Sequence, residues 1–123
     1  TGESLLAAQT LLRRMPVGET VVELILDLVR ACRPEEEASP QIVKDSVSRG
    51  PGPRAAQALM LTVRAQALLE GRLVPTADDV IRMAVPILTH RMQLTFAARA
   101  RGERLNDLIA QVAAQVTHIE AAA

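Results

Sequence analysis

The sequence predicts an all-α protein, a compact bundle of about five helices without a sheet. Apolar residues make up 49% of the chain, yet Phe96 is its one aromatic residue. The core must therefore be built from aliphatic side chains, alanine and methionine, which favours helix-on-helix packing. Apolar residues also recur at helical spacing along the chain, whereas no alternating strand pattern is found in the sequence.

Length and charge narrow the class of protein further. The 123 residues suffice for one core, and we expect a single helical domain over residues 1–123. The 14 basic and 14 acidic residues balance, which argues against a general nucleic-acid binder. The one cysteine, Cys32, excludes an internal disulfide and fits a reducing, cytoplasmic compartment. No apolar run in the sequence reaches the length of a membrane span, so no membrane partner is expected.

Residues 1–32 are predicted to form the first two helices. The first is expected to begin at Ser4, an N-cap residue type, and to stop at Pro16. One of its faces is apolar: Leu5, Ala8, Leu12 and Met15. The second helix, about Glu19 to Cys32, is apolar nearly all round and should be deeply buried.

Residues 33–52 are predicted to form a charged linker that contains one short helix. Ser39-Pro40 can start that helix, which ends before Gly50. The linker then enters the next helix with Pro53 at or near its first position. Gly50 and Gly52 leave the loop backbone open to close approach by another group.

Arg54, in the first turn of this next helix, is the main candidate site residue. A cation there faces the positive end of the helix dipole, a loss of about 0.3–1 kcal/mol when no anion is near. The geometry becomes favourable once an anion binds, because free N–H groups, the dipole and the guanidinium converge on it. A phosphate is the obvious candidate, and a merely solvated arginine is the competing interpretation.

Residues 53–92 are predicted to hold the central and fourth helices. The central helix, about Pro53 to Glu70, has apolar stripes on two sides and should contact neighbours on both. Thr76 can cap the fourth helix, with Asp78 and Asp79 in its first turn. Asp79 stands at the capping-box position, so we interpret these carboxylates as a helix start rather than a catalytic pair.

Residues 93–123 are predicted to end in an amphipathic helix. The stretch from Gln93 to Glu103 is expected to be irregular or briefly helical, with Phe96 filling a gap in the core. The last helix, about Arg104 to Ile119, has a regular apolar stripe: Leu105, Leu108, Ile109, Val112, Val116 and Ile119. This stripe packs either on its own domain or on a partner.

No complete active site can be assembled from these residues. His90 and His118 lie far apart and Cys32 stands alone, so no metal-ligand cluster is expected. A phosphate-binding G-x-x-x-x-G-K-[ST] loop is absent from the sequence. We therefore expect that this chain cannot hydrolyse a nucleoside triphosphate by itself.

Residues 50–92 resemble the C-terminal helical lid of AAA+ ATPases, specifically of the MoxR family. The matching features are the glycine-rich turn into Pro53-Arg54-Ala55, the long helix ending in Leu69-Glu70-Gly71-Arg72, Pro75-Thr76 before Asp79-Val80, and His90-Arg91. The earlier helix with Leu28-Val29-Arg30-Ala31 and Arg33-Pro34 is similar to the one that precedes the linker in those lids. The resemblance covers most of residues 5–92.

This resemblance implies specific roles for three residues. In such lids the arginine that opens the central helix is the second sensor, which reaches the γ-phosphate side of bound ATP. The matching position is Arg54, which is therefore the candidate catalytic residue. Arg54, Pro53 and Ala55 are the candidate ATP-binding residues, because the resemblance places the latter two near the nucleotide base.

The resemblance also implies a larger parent protein. The Walker A, Walker B and first sensor motifs are missing from this sequence and would lie in an N-terminal α/β module that also holds Mg²⁺. No cofactor is expected on this chain alone. MoxR-type ATPases are chaperone-like bacterial proteins that typically form hexameric rings and work with von Willebrand A-domain partners, so both are expected for the parent.

Two other interpretations remain open at this level. The chain could be a stand-alone helical interaction module that docks a partner through the Leu105–Ile119 stripe. It could also be a helix-turn-helix DNA binder built from the third and fourth helices. The zero net charge and the acidic Asp78-Asp79 pair oppose the second of these.

Overall fold

The computed structural model describes residues 2–122 and, within them, the side chains of residues 2–117. The predicted all-α class is confirmed, since helices dominate and the sheet has two short strands. The elements are α1 (Gly2–Arg14), α2 (Glu19–Ala31), α3 (Gln41–Ser46), β1 (Val47–Arg49), α4 (Ala55–Leu69), α5 (Ala77–Leu88), a 3₁₀ turn (Thr89–Arg91), β2 (Gln93–Leu94), α6 (Phe96–Ala100) and α7 (Leu105–Ala122).

Four helices enclose the core. α4 packs against α5, α5 packs against α7, and α2 contacts all three of them. Each helix supplies at least one side chain that is wholly buried: Ile25, Leu59, Leu88 and Ile109. The core cluster consists of Leu, Ile, Val, Ala and Met side chains together with Cys32, as the composition predicts.

The apolar stripe of α7 packs on its own domain. Leu108, Ile109, Val112 and Val116 are all buried, and α7 contacts both α2 and α5. The side chain of Ile119, the last predicted member of the stripe, lies outside the described residues. The described part of this face is therefore occupied, and the interpretation of the stripe as a docking site for a partner is wrong for these residues.

Two short strands correct the prediction of no sheet. β1 pairs antiparallel with β2, with Val47 opposite Leu94 and Arg49 opposite Gln93. The N–H of Thr95 donates to the carbonyl of Ser46 at 2.8 Å and extends the pairing. Strands of three and two residues are too short for alternation to be recognised in the sequence. The pairing also joins segments that are distant along the chain, which local patterns do not reveal.

Phe96 does not fill a gap in the core, contrary to the sequence-based expectation. Its side chain is 87% exposed at the start of α6. The hydroxyl of Thr95 caps this helix by accepting from the N–H of Ala98 at 3.0 Å. The small side chain of Ala98 occupies the buried face of α6, so the core has room for a methyl group there and the ring faces outward.

The first helix packs less closely than predicted. α1 already includes Gly2, so its start precedes Ser4, and none of its residues is buried. Leu5 and Leu6 are 61% and 64% exposed, whereas Met15, just after the helix, is buried. α1 contacts α4. Of its predicted apolar face, only Met15, which follows the helix, is buried.

Candidate functional site

The loop between β1 and α4 lies directly against the end of α2. A Cβ atom at Gly50 would come within 2.8 Å of both the Cα of Arg33 and the carbonyl oxygen of Cys32. Real Cβ atoms are not found this close to backbone atoms, so only glycine fits without a shift of one segment. Pro51, the next residue, is buried. The start of the loop is thus packed against α2.

Arg33 provides hydrogen bonds to the same loop. Its Nε donates to the carbonyl oxygen of Pro51 at 3.0 Å, and its Nη2 lies 3.4 Å from the carbonyl oxygen of Gly52. The hydroxyl of Ser39 lies 2.6 Å from the carbonyl oxygen of Arg33 and 3.1 Å from that of Arg30. The C-terminal end of α2 and the loop before α4 are therefore joined by polar contacts as well as by packing.

Arg54 lies immediately before α4, one residue earlier than a first-turn position. It is the N-cap residue, with φ −81° and ψ −9°, and no side chain caps the helix. The N–H of Ala55 donates to the carbonyl of Gly52 at 3.1 Å, and the N–H of Ala58 donates to the carbonyl of Arg54 at 3.0 Å. This N-terminus thus lacks the side-chain acceptor that usually satisfies first-turn N–H groups.

The Arg54 side chain is exposed. Among the residues whose side chains the structure describes, none forms an ion pair or a side-chain hydrogen bond with it. Pro53, next to it, is exposed, whereas Ala55 is buried, with an exposed fraction of 1%. The predicted contacts of Pro53 and Ala55 with a nucleotide base stay predictions. Of the two residues, Ala55 is the less accessible to a ligand, because its methyl group is buried.

An open groove of about 900 Å³ runs past this loop. Its lining contains a set of basic residues and two acidic ones: Arg33, Arg49, Arg54, His90 and Arg91, with Glu35 and Glu36. β1 supplies Arg49 and the 3₁₀ turn supplies Arg91, so the strand pairing brings them to the same wall. The sequence singled out Arg54 but not the other arginines, because their neighbourhood depends on contacts between distant segments.

A second cluster of arginines lies at the opposite end of α4. Arg72 donates to both carboxylate oxygens of Asp79 at 2.8 Å and to Glu70 at 2.6 Å. Arg82 donates to Asp79 at 2.8 Å and to Glu70 at 2.9 Å. The backbone N–H of Thr76 donates to Asp79 at 2.8 Å, and the predicted capping box is present.

These contacts set the charge state of the cluster. Hydrogen bonds from Arg82, Arg72 and Gln66 lower the pKa of Glu70 to about 2. Hydrogen bonds from Arg72 hold the pKa of Asp79 well below its usual range, although burial acts in the opposite direction. Asp79 is completely buried and already paired, so this carboxylate is structural, as predicted, and is not free to act as an acid or base.

Comparison with known proteins identifies the family. A model of the AAA lid domain matches residues 39–112, which is more than half of the chain. The chain belongs to the AAA lid domain family. The match starts just before α3 and ends within α7, and so it contains both arginine clusters except for Arg33.

Two relatives of this AAA lid domain support the same assignment. It is 33% identical over 100 residues to chaperone MoxR1 of Mycobacterium tuberculosis, which is 81% of this chain and 26% of that protein. It matches the crystal structure of a "putative ATPase" from Cytophaga hutchinsonii with a TM-score of 0.78 and 25% identity, over 84% of this chain and 31% of that one. The chain thus spans about a quarter to a third of the length of these proteins.

The sequence-based resemblance to a MoxR-family lid is confirmed by these findings. None of them assigns a role to Arg54, which stays a prediction. Within the described part of this AAA lid domain, no helix is long and apolar enough to cross a membrane.

Proposed function

We propose that this chain is the lid portion of a MoxR-type AAA+ ATPase, in which Arg54 helps to bind ATP. The observation that supports this most directly is an exposed arginine at an uncapped helix N-terminus, beside a groove whose charged lining residues include more arginines than glutamates. The similarity to chaperone MoxR1 supports the type of parent protein.

The residues of the groove fit a polyphosphate. Arginine presents planar N–H donors that match phosphate oxygens, and it remains charged at every physiological pH. The N-terminus of α4 adds backbone donors and the positive end of its dipole. Four arginines outnumber the two glutamates of the lining, so the groove offers net positive charge to an anion.

Hydrolysis itself needs groups that this sequence does not contain. In the proposed parent, an N-terminal module would supply the Walker motifs and hold Mg²⁺, and this chain would cover the nucleotide from the other side. Arg54 would then complete the positive charge around the γ-phosphate. Pro53 and Ala55 would lie near the base.

The same arginine would couple hydrolysis to motion. α4 begins directly after Arg54 and packs on α2 and α5, so a pull on the guanidinium is transmitted to the core of the lid. Arg54 would lose its ion-pair partner when the γ-phosphate leaves, and the lid could rotate. We propose that a bacterial, cytoplasmic ring of such subunits uses this rotation to remodel or mature other proteins, together with a von Willebrand A-domain partner.

The test is Arg54→Ala in the full-length ATPase. We expect ATP turnover to fall by about tenfold or more, because a charge-assisted contact to phosphate is lost. The control is Arg99→Ala, which removes an exposed arginine of α6 that does not line the groove. Wild-type turnover in Arg54→Ala, with intact folding, would refute the proposed role of this residue.

A further inference from the structure

We propose that Arg33 is a positioning residue for Arg54: it holds the loop before α4 against the end of α2 and so sets where the sensor arginine stands. This inference rests on the proposed function of Arg54. It assigns to Arg33 an effect on ATP that is exerted through the loop rather than through direct contact with phosphate.

The hydrogen bonds of Arg33 are directed at the loop. Its Nε and Nη2 face two successive carbonyl oxygens, those of Pro51 and Gly52, at 3.0 and 3.4 Å. These are the residues immediately before Pro53 and Arg54. A guanidinium that faces two adjacent carbonyls restrains both the position and the rotation of the segment that carries them.

The packing at Gly50 is an independent observation on the same contact. The 2.8 Å approach of a hypothetical Cβ to the Cα of Arg33 and to the carbonyl of Cys32 shows that the two backbones touch. The loop therefore cannot move toward α2, and the hydrogen bonds of Arg33 oppose its movement away. Together these contacts define one position for the loop.

The end of α2 is itself well anchored. The buried hydroxyl of Ser39 reaches the carbonyl oxygens of Arg30 and Arg33 and can donate its one proton to either. Cys32, between them, is fully buried. Arg33 therefore extends from a fixed point of the core, which is what a positioning role requires.

The state of Arg33 differs from that of Arg54. Arg33 is half-buried and has donors directed at backbone carbonyls, whereas Arg54 is exposed and has no such partner among the described side chains. A nucleotide could therefore engage Arg54 without breaking existing contacts. Engaging Arg33 in the same way would release the loop.

A pair of variants of the full-length ATPase separates positioning from direct charge. In Arg33→Gln, the side-chain Nε2 takes the place of Nε along the chain and can donate to Pro51 without any charge. Arg33→Met has similar length but no donor. We expect Arg33→Met to raise the KM for ATP by about three- to tenfold, which is the effect of losing one hydrogen bond. We expect Arg33→Gln, which keeps a donor, to have a KM closer to that of the wild-type protein.

Equal impairment of the two variants would overturn the proposal, because it would show that the charge of Arg33 matters and not its hydrogen bond. A wild-type KM in folded Arg33→Met would also overturn it. Gly50→Ala offers a second route, since it displaces the loop while every charge stays in place, and it should raise KM in the same way. Gly50→Ala carries the test should Arg33→Met fail to fold.

A double variant tests whether Arg33 acts through Arg54. In the Arg54→Ala background, Arg33→Met should change the KM by no more than about twofold, because the group that it positions is gone. A full additive effect in this background would contradict the inference alone. Wild-type turnover of Arg54→Ala would instead refute the proposed function, so the two failures are distinguishable.

Discussion

The two ends of α4 hold arginines in opposite situations. Arg54 stands at the positive end of the helix dipole, exposed and without an opposite charge among the described side chains. Beyond the C-terminal end of the helix, Arg72 and Arg82 share the carboxylates of Glu70 and Asp79 at distances of 2.6 to 2.9 Å. The arginine at the N-terminal end is thus opposed by the helix dipole, whereas the two arginines at the C-terminal end are paired with carboxylates.

The two ends of α4 differ in whether their arginines stabilise the fold. The Arg72 cluster joins the end of α4 to the start of α5 and satisfies a buried carboxylate, so it stabilises the domain. Arg54 gains nothing comparable from its own chain and opposes the dipole of α4. The position of Arg54 at the N-terminus of α4 therefore favours an anionic partner from outside this chain.

The largest effect on stability is expected for Asp79→Ala. This change removes the buried carboxylate that pairs with Arg72 and Arg82, and it removes the capping box of α5. We expect a loss of about 2–3 kcal/mol in the free energy of unfolding. The loss is smaller than for a fully buried ion pair, because both arginines are partly exposed and water can hydrate them in the variant. Urea unfolding of this chain measures it.

Asp78→Ala is the matched control for that change. Asp78 is in the same helical turn, but its side chain is 75% exposed and meets Arg82 at 3.2 Å. We expect its loss to cost less than about 0.5 kcal/mol, as for other exposed pairs. Similar losses for the two variants would mean that the first turn of α5, rather than the buried ion cluster, stabilises this end of the domain.

Acid should weaken the same end of the molecule. The folded-state pKa values of Glu70 and Asp79 lie below their ordinary values of 4.5 and 3.8, with that of Glu70 at about 2. Their stabilisation is therefore complete above about pH 5 and is lost as the pH falls through the folded pKa values. Thermal unfolding between pH 6 and 2.5 should show this decline. A decline of the same size in Asp79→Ala would exclude Asp79 as a main source.

Local chemistry explains which parts of the fold could be predicted from the sequence. The burial of α2, the stripe of α7 and the Thr76–Asp79 capping box follow from residue spacing within one element, and each is present. The strands and Phe96 depend on partners that are distant in sequence. Val47 pairs with Leu94, and α6, which carries the exposed Phe96, contacts α3.

The candidate site also contains one residue that local sequence predicts and others that it does not. Arg54 is recognisable because its position at a helix start is itself unusual. Arg33 contacts Pro51 across 18 positions, and Arg49 and Arg91 reach the groove through the pairing of β1 with β2. No spacing rule connects these residues, so their neighbourhood could be found only from the structure.

Arg54→Asp is expected to change stability less than Asp79→Ala does, and in the opposite direction. The backbone angles of Arg54 are helical, whereas a residue whose side chain caps a helix is usually extended. The new Asp side chain is therefore not expected to form a capping hydrogen bond, and the expected change in stability comes from the interaction of its charge with the helix dipole. Replacing a cation by an anion there should raise the free energy of unfolding by about 1 kcal/mol.

If Arg54 acts as proposed, the same variant should be severely impaired in ATP turnover in the full-length protein, since it would place a negative charge beside the triphosphate. Arg54→Ala should give about half of the gain in stability, because it removes the unfavourable charge without adding a favourable one. A loss of stability in Arg54→Asp would show that Arg54 serves the fold as Arg72 does, and the contrast between the two ends of α4 would then fail. A gain in stability together with a loss of turnover would show that this arginine is kept at a cost to the fold.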